Sequence, residues 1–424
     1  MLSSRLPKDL SPSPFFAELE RAKSDVQKDA SAGGLPFIDM TVSSPVRAGL
    51  PVEMDVAVEE ARKDFGCWNP DPAGWMGTRE AVVEYYRERG GNFDAGQIIL
   101  TASTSEAYSV LFKAFCDPGD IILTPMPGYP LLDTLAQLEH LECAPYFLKL
   151  RRENARKLAT DEIYDTRCFS TLVELSPMRR RENLFRFVLD TDSLLSAPEK
   201  AKILLLVSPH NPTGHCVSQT EWNEVVSFCE QHNLILVVDE VFGDYGFSDD
   251  VRRSWTFLAD SKPKCPIFWL NGLSKAVGSP QLKLGWMAFY APEEQFEPIR
   301  AALEFVEDAY LSVSAPAQAL GTALLKQSAA YEAKVRERLL QNWNTLREAF
   351  PSKYCPEVVG GWYAAIRLGE DDEELTLRLL REKHVLVQPG FFFDFDEDGW
   401  VVVSLLQEPA LFKEAVARLT RTSC

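Results

Sequence analysis

The chain has 424 residues, 46% of them hydrophobic and 25% charged, which is ordinary globular composition and long enough for a large domain plus a smaller one, so two cores are expected. Lys and Arg total 44 against 62 Asp and Glu, a net charge of −18, and a nucleic-acid or anionic-membrane surface would have to work against that field. No apolar stretch approaches the roughly 20 residues of a membrane helix. MLSSRLPKDLSPSPFF lacks the apolar core of a signal peptide, so a cytoplasmic protein is expected. The nine cysteines are odd in number and form no CxxC, which suggests neither a disulfide framework nor a zinc site. Reduced, buried small hydrophobes are the expectation for them.

Residues 1–36 are polar and rich in Ser, Pro and Lys, the look of a loosely held arm with one helix around Phe15 to Lys28. Helical spacing from Thr78 stops at Gly90-Gly91, and IILTA (98–102) then reads as a strand followed by the helix SEAYSVLFKAF. The pattern repeats: strand IILTP (121–125), helix LLDTLAQLEH, a mixed charged stretch, strand ILLLV (203–207), helix EWNEVVSFCEQHN, strand LILVVDE, strand IFWLN. Apolar strands alternating with helices predict an α/β fold with a mainly parallel sheet covered on both faces.

Beyond Pro292 the texture becomes helical, then mixed: GGWYAAIRL, a helix near Glu374 to Glu382, VLVQPG, WVVVSLL and a final helix. That is an α+β segment, so the division expected is a large domain at 61–299 and a small domain from 37–60 plus 300–424. The Arg-rich stretch at about 150–183 (RREN, MRRREN) reads as a surface insertion, because charge runs are usually solvated.

Three loci carry chemistry. SPHNPTG (208–214) follows the strand ILLLV, which puts Asn211 at the carboxyl end of a parallel strand, where open α/β sheets place ligands. Taken alone it is equally a plain turn. LILVVDEVF sets Asp239 after five apolar residues, where a carboxylate is poorly solvated without a cationic partner, although a strand-end acid is often only a helix cap. NGLSKAVGSPQLKLGW (271–286) places Lys275 in a Gly/Ser/Pro loop, a setting in which an amine can lose pKa and become a Schiff-base nucleophile.

The order and spacing of these loci, 28 residues from Asn211 to Asp239 and 36 from Asp239 to Lys275, resemble the fold-type-I pyridoxal-phosphate (PLP) enzymes of the class I/II aminotransferase family. The resemblance runs from about Asp39 to Leu419 apart from the insertion. It implies that Lys275 holds PLP as a Schiff base, with Ser274 beside it, that Asp239 pairs with the pyridine nitrogen, and that Asn211 meets the cofactor's 3-oxygen. TASTSEAY (101–108) matches the family's phosphate turn, with Ser103, Thr104 and Ser105 as donors at a helix N-terminus. MPGYP (126–130) supplies Tyr129 as the ring stacked on the cofactor, and Lys283 stands where the family has a phosphate-clamping arginine. The segments FIDMTVSSP (37–45) and PDPAGWMGTREAV (70–82) also resemble family segments. A homodimer acting on an amino donor and a 2-oxo acid acceptor is implied, with no nucleic-acid or membrane partner.

Three positions depart from the pattern. Phe242 replaces a tyrosine that would also bond the 3-oxygen, Trp68 stands about where a tyrosine reaches the neighbouring subunit's phosphate, and Val402 replaces the arginine that grips the substrate carboxylate. Losing that bidentate cation removes about 2 to 4 kcal/mol of binding. Arg47 in SSPVRAGLP and Arg367 in GGWYAAIRL are the substitutes to test. The expected activity is an aminotransferase. Val402 motivates the alternative of a PLP-dependent lyase, decarboxylase or cyclising synthase, and a third possibility is a PLP-fold binding protein that docks a partner through the arm or the insertion.

Overall fold

The computed structural model describes residues 3–154, 183–248, 251–369 and 371–420. In chain order, helix α1 (Pro14–Ser31) precedes the short strand β1 (Ile38–Asp39); then come α2 (Met54–Ala61), α3 (Met76–Arg87), β2 (Ile98–Thr101), α4 (Thr104–Phe115), β3 (Ile121–Met126) and α5 (Leu131–Leu138). Strands β4 (Glu142–Asn154), β5 (Asn183–Leu189) and β6 (Ala201–Val207) lead to α6 (Gln219–His232), β7 (Ile235–Asp239), β8 (Ile267–Gly272), the one-turn helix α7 (Leu273–Ala276) and β9 (Gly285–Tyr290). The rest is α8 (Glu293–Asp308), α9 (Ala315–Leu325), α10 (Ser328–Ala349), β10 (Tyr363–Arg367), α11 (Asp372–Lys383), β11 (Val385–Leu386), β12 (Gln388–Pro389), β13 (Trp400–Ser404) and α12 (Pro409–Thr420).

Eight strands form one sheet in the order β2-β9-β8-β7-β6-β3-β4-β5. The run from β8 to β4 is parallel, as the alternation of strands and helices predicts. Strand β9 is antiparallel to both β2 and β8. The sequence pattern alone assigns no direction to GWMAFY; residues 273–284, which separate it from β8, hold only the one-turn helix α7 and a 3-10 turn, with no helix to cross the sheet, and the strand returns antiparallel.

A second difference concerns the charged stretch after α5, which is the 13-residue strand β4, paired antiparallel with β5. It lies next to the edge strand β5, where one face of the sheet meets water, and its mixed composition follows: Tyr146 and Leu148 are buried while Lys149 and Arg151 face solvent. Residues 150–154 of the expected insertion are therefore strand, and 155–182 lie outside the described residues.

The sheet itself divides the apolar interior. Along β6 and β7, Ile203, Leu205 and Val237 enter one core with α4 and α5, and Leu204, Leu206, Leu236 and Val238 enter the other with α3 and α6. This is the period-2 alternation of a strand covered on both faces. The second core runs on without a break into the three-stranded antiparallel sheet β10-β13-β12.

The N-terminal segment is docked. Phe15, Leu19, Ala22 and Val26 make a helical stripe that packs on Leu380 and Leu386. Farther on, β1 pairs in parallel with β11, and Ser404 N–H donates to Met40 O at 2.7 Å. Among the described residues, no helix is long and apolar enough to cross a membrane.

Candidate active site

The carboxyl ends of three neighbouring parallel strands bring the sequence-derived triad together. Val207 of β6, Asp239 of β7 and Leu270 of β8 stand side by side in register. Asn211 follows β6 and Lys275 follows β8, so both flank Asp239 in space, and Ser208 N–H donates to the Asp239 carbonyl at 3.0 Å. This is the edge at which open α/β sheets bind ligands.

Burial of Asp239 raises its carboxyl pKa from the ordinary value, and three neighbours oppose that rise. Val241 N–H donates to Oδ1 at 3.1 Å, the Tyr108 hydroxyl donates to Oδ2 at 2.8 Å, and the nearby Lys275 charge favours the carboxylate.

Lys275 sits in α7 with its Nζ 4.6 Å from the ring centroid of Trp362 and 5.4 Å from that of Phe242. Removal from water pushes its ammonium down to about 8, against the pull of Asp239 in the other direction. A usable fraction of free amine at neutral pH follows, which a carbonyl-capturing lysine requires. The residue is positioned through its backbone: the Tyr245 hydroxyl donates to the Lys275 carbonyl at 2.5 Å. Tyr245 follows Asp244, which accepts from Arg89 at 2.9 Å and from Tyr85 at 2.7 Å, a buried network that also reaches Glu332 of α10.

The amide oxygen of Asn211 is buried and has no hydrogen-bond partner among the described residues. A half-turn of the amide presents its N–H to the same point, so the group can serve either a donor or an acceptor on a ligand. At the N-terminus of α4 the Ser103 hydroxyl is engaged as the cap, accepting from Glu106 N–H at 3.2 Å. The hydroxyls of Thr104 and Ser105, in the first turn, make no hydrogen bond among the described residues.

Gly285 lies against this turn so closely that an added Cβ would come within 3.0 Å of the Ser103 carbonyl carbon and 3.1 Å of Thr104 N. Lys283, two residues earlier, is exposed, and Ser274 is half-buried next to Lys275. Tyr129 is half-exposed in the turn after β3, and its phenol is shifted upward by burial first and then by Asp239.

The other wall differs. Val402 is fully buried inside β13, paired with Ala365 and Gln388, and belongs to the core. Arg47 is mostly exposed with Asp39 at 3.9 Å, while Arg367 pairs with Glu397 and lies 5.9 Å from the Trp400 ring centroid. Among the described residues neither makes a hydrogen bond or ion pair with Lys275, Asp239, Asn211 or Tyr129. Tyr363 approaches Phe242 with ring centroids 5.9 Å apart, but Arg367 is four strand residues farther on, about 13 Å away. Trp68 is 81% exposed.

Sequence reasoning missed Tyr108 and Trp362. Tyr108 had a readable signal, because it stands four residues after Thr104 and hence on the same helix face as the phosphate turn. Trp362 had none, since only the fold carries β10 to Lys275.

A phosphorylated pyridine aldehyde fits what is present: an amine of lowered pKa for the aldehyde, a carboxylate for the ring nitrogen, an orphaned amide for the 3-oxygen, and open donors at a helix N-terminus for the phosphate.

Comparison with known proteins agrees. A model of the family "Aminotransferase class I and II" matches residues 69–419. The chain is 26% identical over 401 residues to a glutamate-pyruvate aminotransferase of Haemophilus influenzae, covering 92% of this chain and 91% of the relative. It is 22% identical over 401 residues to a tyrosine aminotransferase of Caenorhabditis elegans, covering 90% of this chain and 78% of the relative. Among solved structures it is similar to an alanine aminotransferase of Pyrococcus furiosus, with TM-score 0.75 and 21% identity over 97% of this chain and 99% of that one. These likenesses give no support to a lyase, decarboxylase or cyclising synthase. The chain belongs to the class I and II aminotransferase family, whose members are transferases that use pyridoxal phosphate.

Proposed function

We propose that this aminotransferase holds PLP through Lys275 and that the same amine, released when an amino donor takes its place, carries the proton to and from the substrate's Cα. The observation that supports the reading best is the convergence of Lys275 and Asp239 at adjacent strand ends, with the amine lowered to about 8. When bound, the cofactor supplies an electron sink for the charge that develops at Cα. Asp239 holds the ring nitrogen, Asn211 the 3-oxygen, and Tyr129 one face of the ring. Thr104 and Ser105 bind the phosphate with their hydroxyls and backbone N–H groups, assisted by Ser103, Ser274 and Lys283.

On this reading residues 61–299 carry the cofactor, while 37–60 with 300–424 form the small domain that completes the substrate wall. The partners are an amino acid and a 2-oxo acid. Of the two arginines, Arg47 is the better carboxylate ligand, because its segment reaches the lysine loop: Pro45 Cβ would lie 3.2 Å from a Cβ on Gly278. The protein acts in the cytoplasm as a homodimer whose contact uses the exposed side chains Trp68, Phe305 and Tyr310. A two-stage assay tests the function. An amino donor alone should convert the lysine-bound visible absorption band to that of the amine form of the cofactor, and a 2-oxo acid should restore it. Release of a fragmented or cyclised product with no amine form would contradict transamination.

A further inference from the structure

Helix α4 touches two separate parts of the site. Its first turn presents Thr104 and Ser105, and one turn later, about 6 Å along the axis, Tyr108 reaches Asp239. Tyr108 is 3% exposed and packs on Phe112 of the same helix with ring centroids 6.1 Å apart. Its hydroxyl donates to Oδ2 of Asp239, and Oδ1 is taken by Val241 N–H. The carboxylate is thus held at both oxygens, at one by the chain two residues farther on and at the other by helix α4, which fixes its plane.

We infer that Tyr108 is the positioning residue of Asp239, orienting the carboxylate toward the cofactor's ring nitrogen and tying that end of the site to the phosphate-binding turn through one helix. The inference rests on the PLP reading above. Burial and the Asp239 charge both raise the phenol's pKa well above its ordinary value, so it remains a donor throughout the working pH range. The other groups facing Asp239 are the Lys275 amine and the Tyr129 phenol. A hydrogen bond donated to the carboxylate stabilises its charged form, which keeps the shared proton on the ring nitrogen and not on Asp239. No other side chain among the described residues donates a hydrogen bond to Asp239.

The test uses the full-length protein loaded with PLP labelled with ¹⁵N in its ring. Tyr108→Phe removes only the hydroxyl, and the bound ¹⁵N resonance should move toward the value of an unprotonated pyridine. PLP titrated into the apoprotein should show a Kd raised about tenfold, and kcat should fall while KM for the amino donor stays within about twofold. Tyr146→Phe is the control: that phenol is equally buried but donates to the Leu205 carbonyl at 2.6 Å, so its loss should lower thermal stability and leave the ¹⁵N resonance in place. A Tyr108→Phe protein with unchanged resonance and Kd would overturn the role of Tyr108 and leave PLP binding intact, as would an equal shift in Tyr146→Phe. Wild-type protein that binds no labelled PLP would overturn both readings.

Discussion

The strand ends that carry Asn211, Asp239 and Lys275 belong to one continuous sheet, whereas Val402 and Arg367 sit on a separate three-stranded sheet and Arg47 on the segment between β1 and α2. On the first, each polar group has a local reason to be where it is: a depressed amine, a doubly bonded carboxylate, an orphaned amide, a helix N-terminus with open donors. On the second, Val402 is a core residue, and both Arg47 and Arg367 already face acids. On the proposed reading the contrast teaches that cofactor chemistry and substrate recognition stand on different frameworks, so that one can be kept while the other is rebuilt.

The largest effect that would sharpen this contrast belongs to Lys275→Ala, for which kcat should fall about 10⁴-fold while the far-ultraviolet spectrum is unchanged. Asp239→Asn keeps the shape and removes the charge, and about a 10³-fold loss in kcat is expected with weaker PLP retention. Third in size is a pH response. Capture of PLP by the apoprotein depends on neutral Lys275, so the second-order rate should climb about tenfold per pH unit and level off above about 8. The accompanying stability has a definite sign: the folded pKa lies below the ordinary value of 10.5, so the unfolded chain binds more protons between the two. The apoprotein should therefore gain thermal stability as pH rises from about 8 toward 10.5.

Substitutions on the other wall should be smaller and different in kind. Arg47→Gln is expected to raise KM for an amino-acid donor about tenfold with kcat little changed. Val402→Ala should destabilise the protein by about 2 kcal/mol through a core cavity, with no change in the visible band, and Arg367→Gln should stay within about twofold in both constants. If Arg367→Gln abolished donor binding instead, the assignment of carboxylate recognition to the Arg47 segment would be wrong.

What the sequence disclosed follows the same division. Asn211, Asp239 and Lys275 were legible because each lies at or just after an apolar run that had to be a buried strand; α6 and β7 fill the interval from Asn211 to Asp239, and a 3-10 segment and β8 that from Asp239 to the Lys275 turn. Strand β9 was not, since its direction depends on a connection that carries no crossing helix, and β4 was masked by the charges that its outer face can tolerate. Trp362 depends on which strand the fold lays against the lysine, information that no local pattern holds, whereas Tyr108 could be read from its place one helical turn after Thr104. Arg367 stands away from the Lys275 end for a plain geometric reason: four residues of strand carry it to the far end of β10.

Borohydride reduction of the PLP-loaded protein, followed by peptide mass spectrometry, tests the central claim most directly because it fixes the cofactor to whichever lysine holds it. The account predicts one modified lysine, in the peptide containing Lys275. Modification at Lys283 in its place, or no stable adduct in a protein that is fully folded, would contradict it.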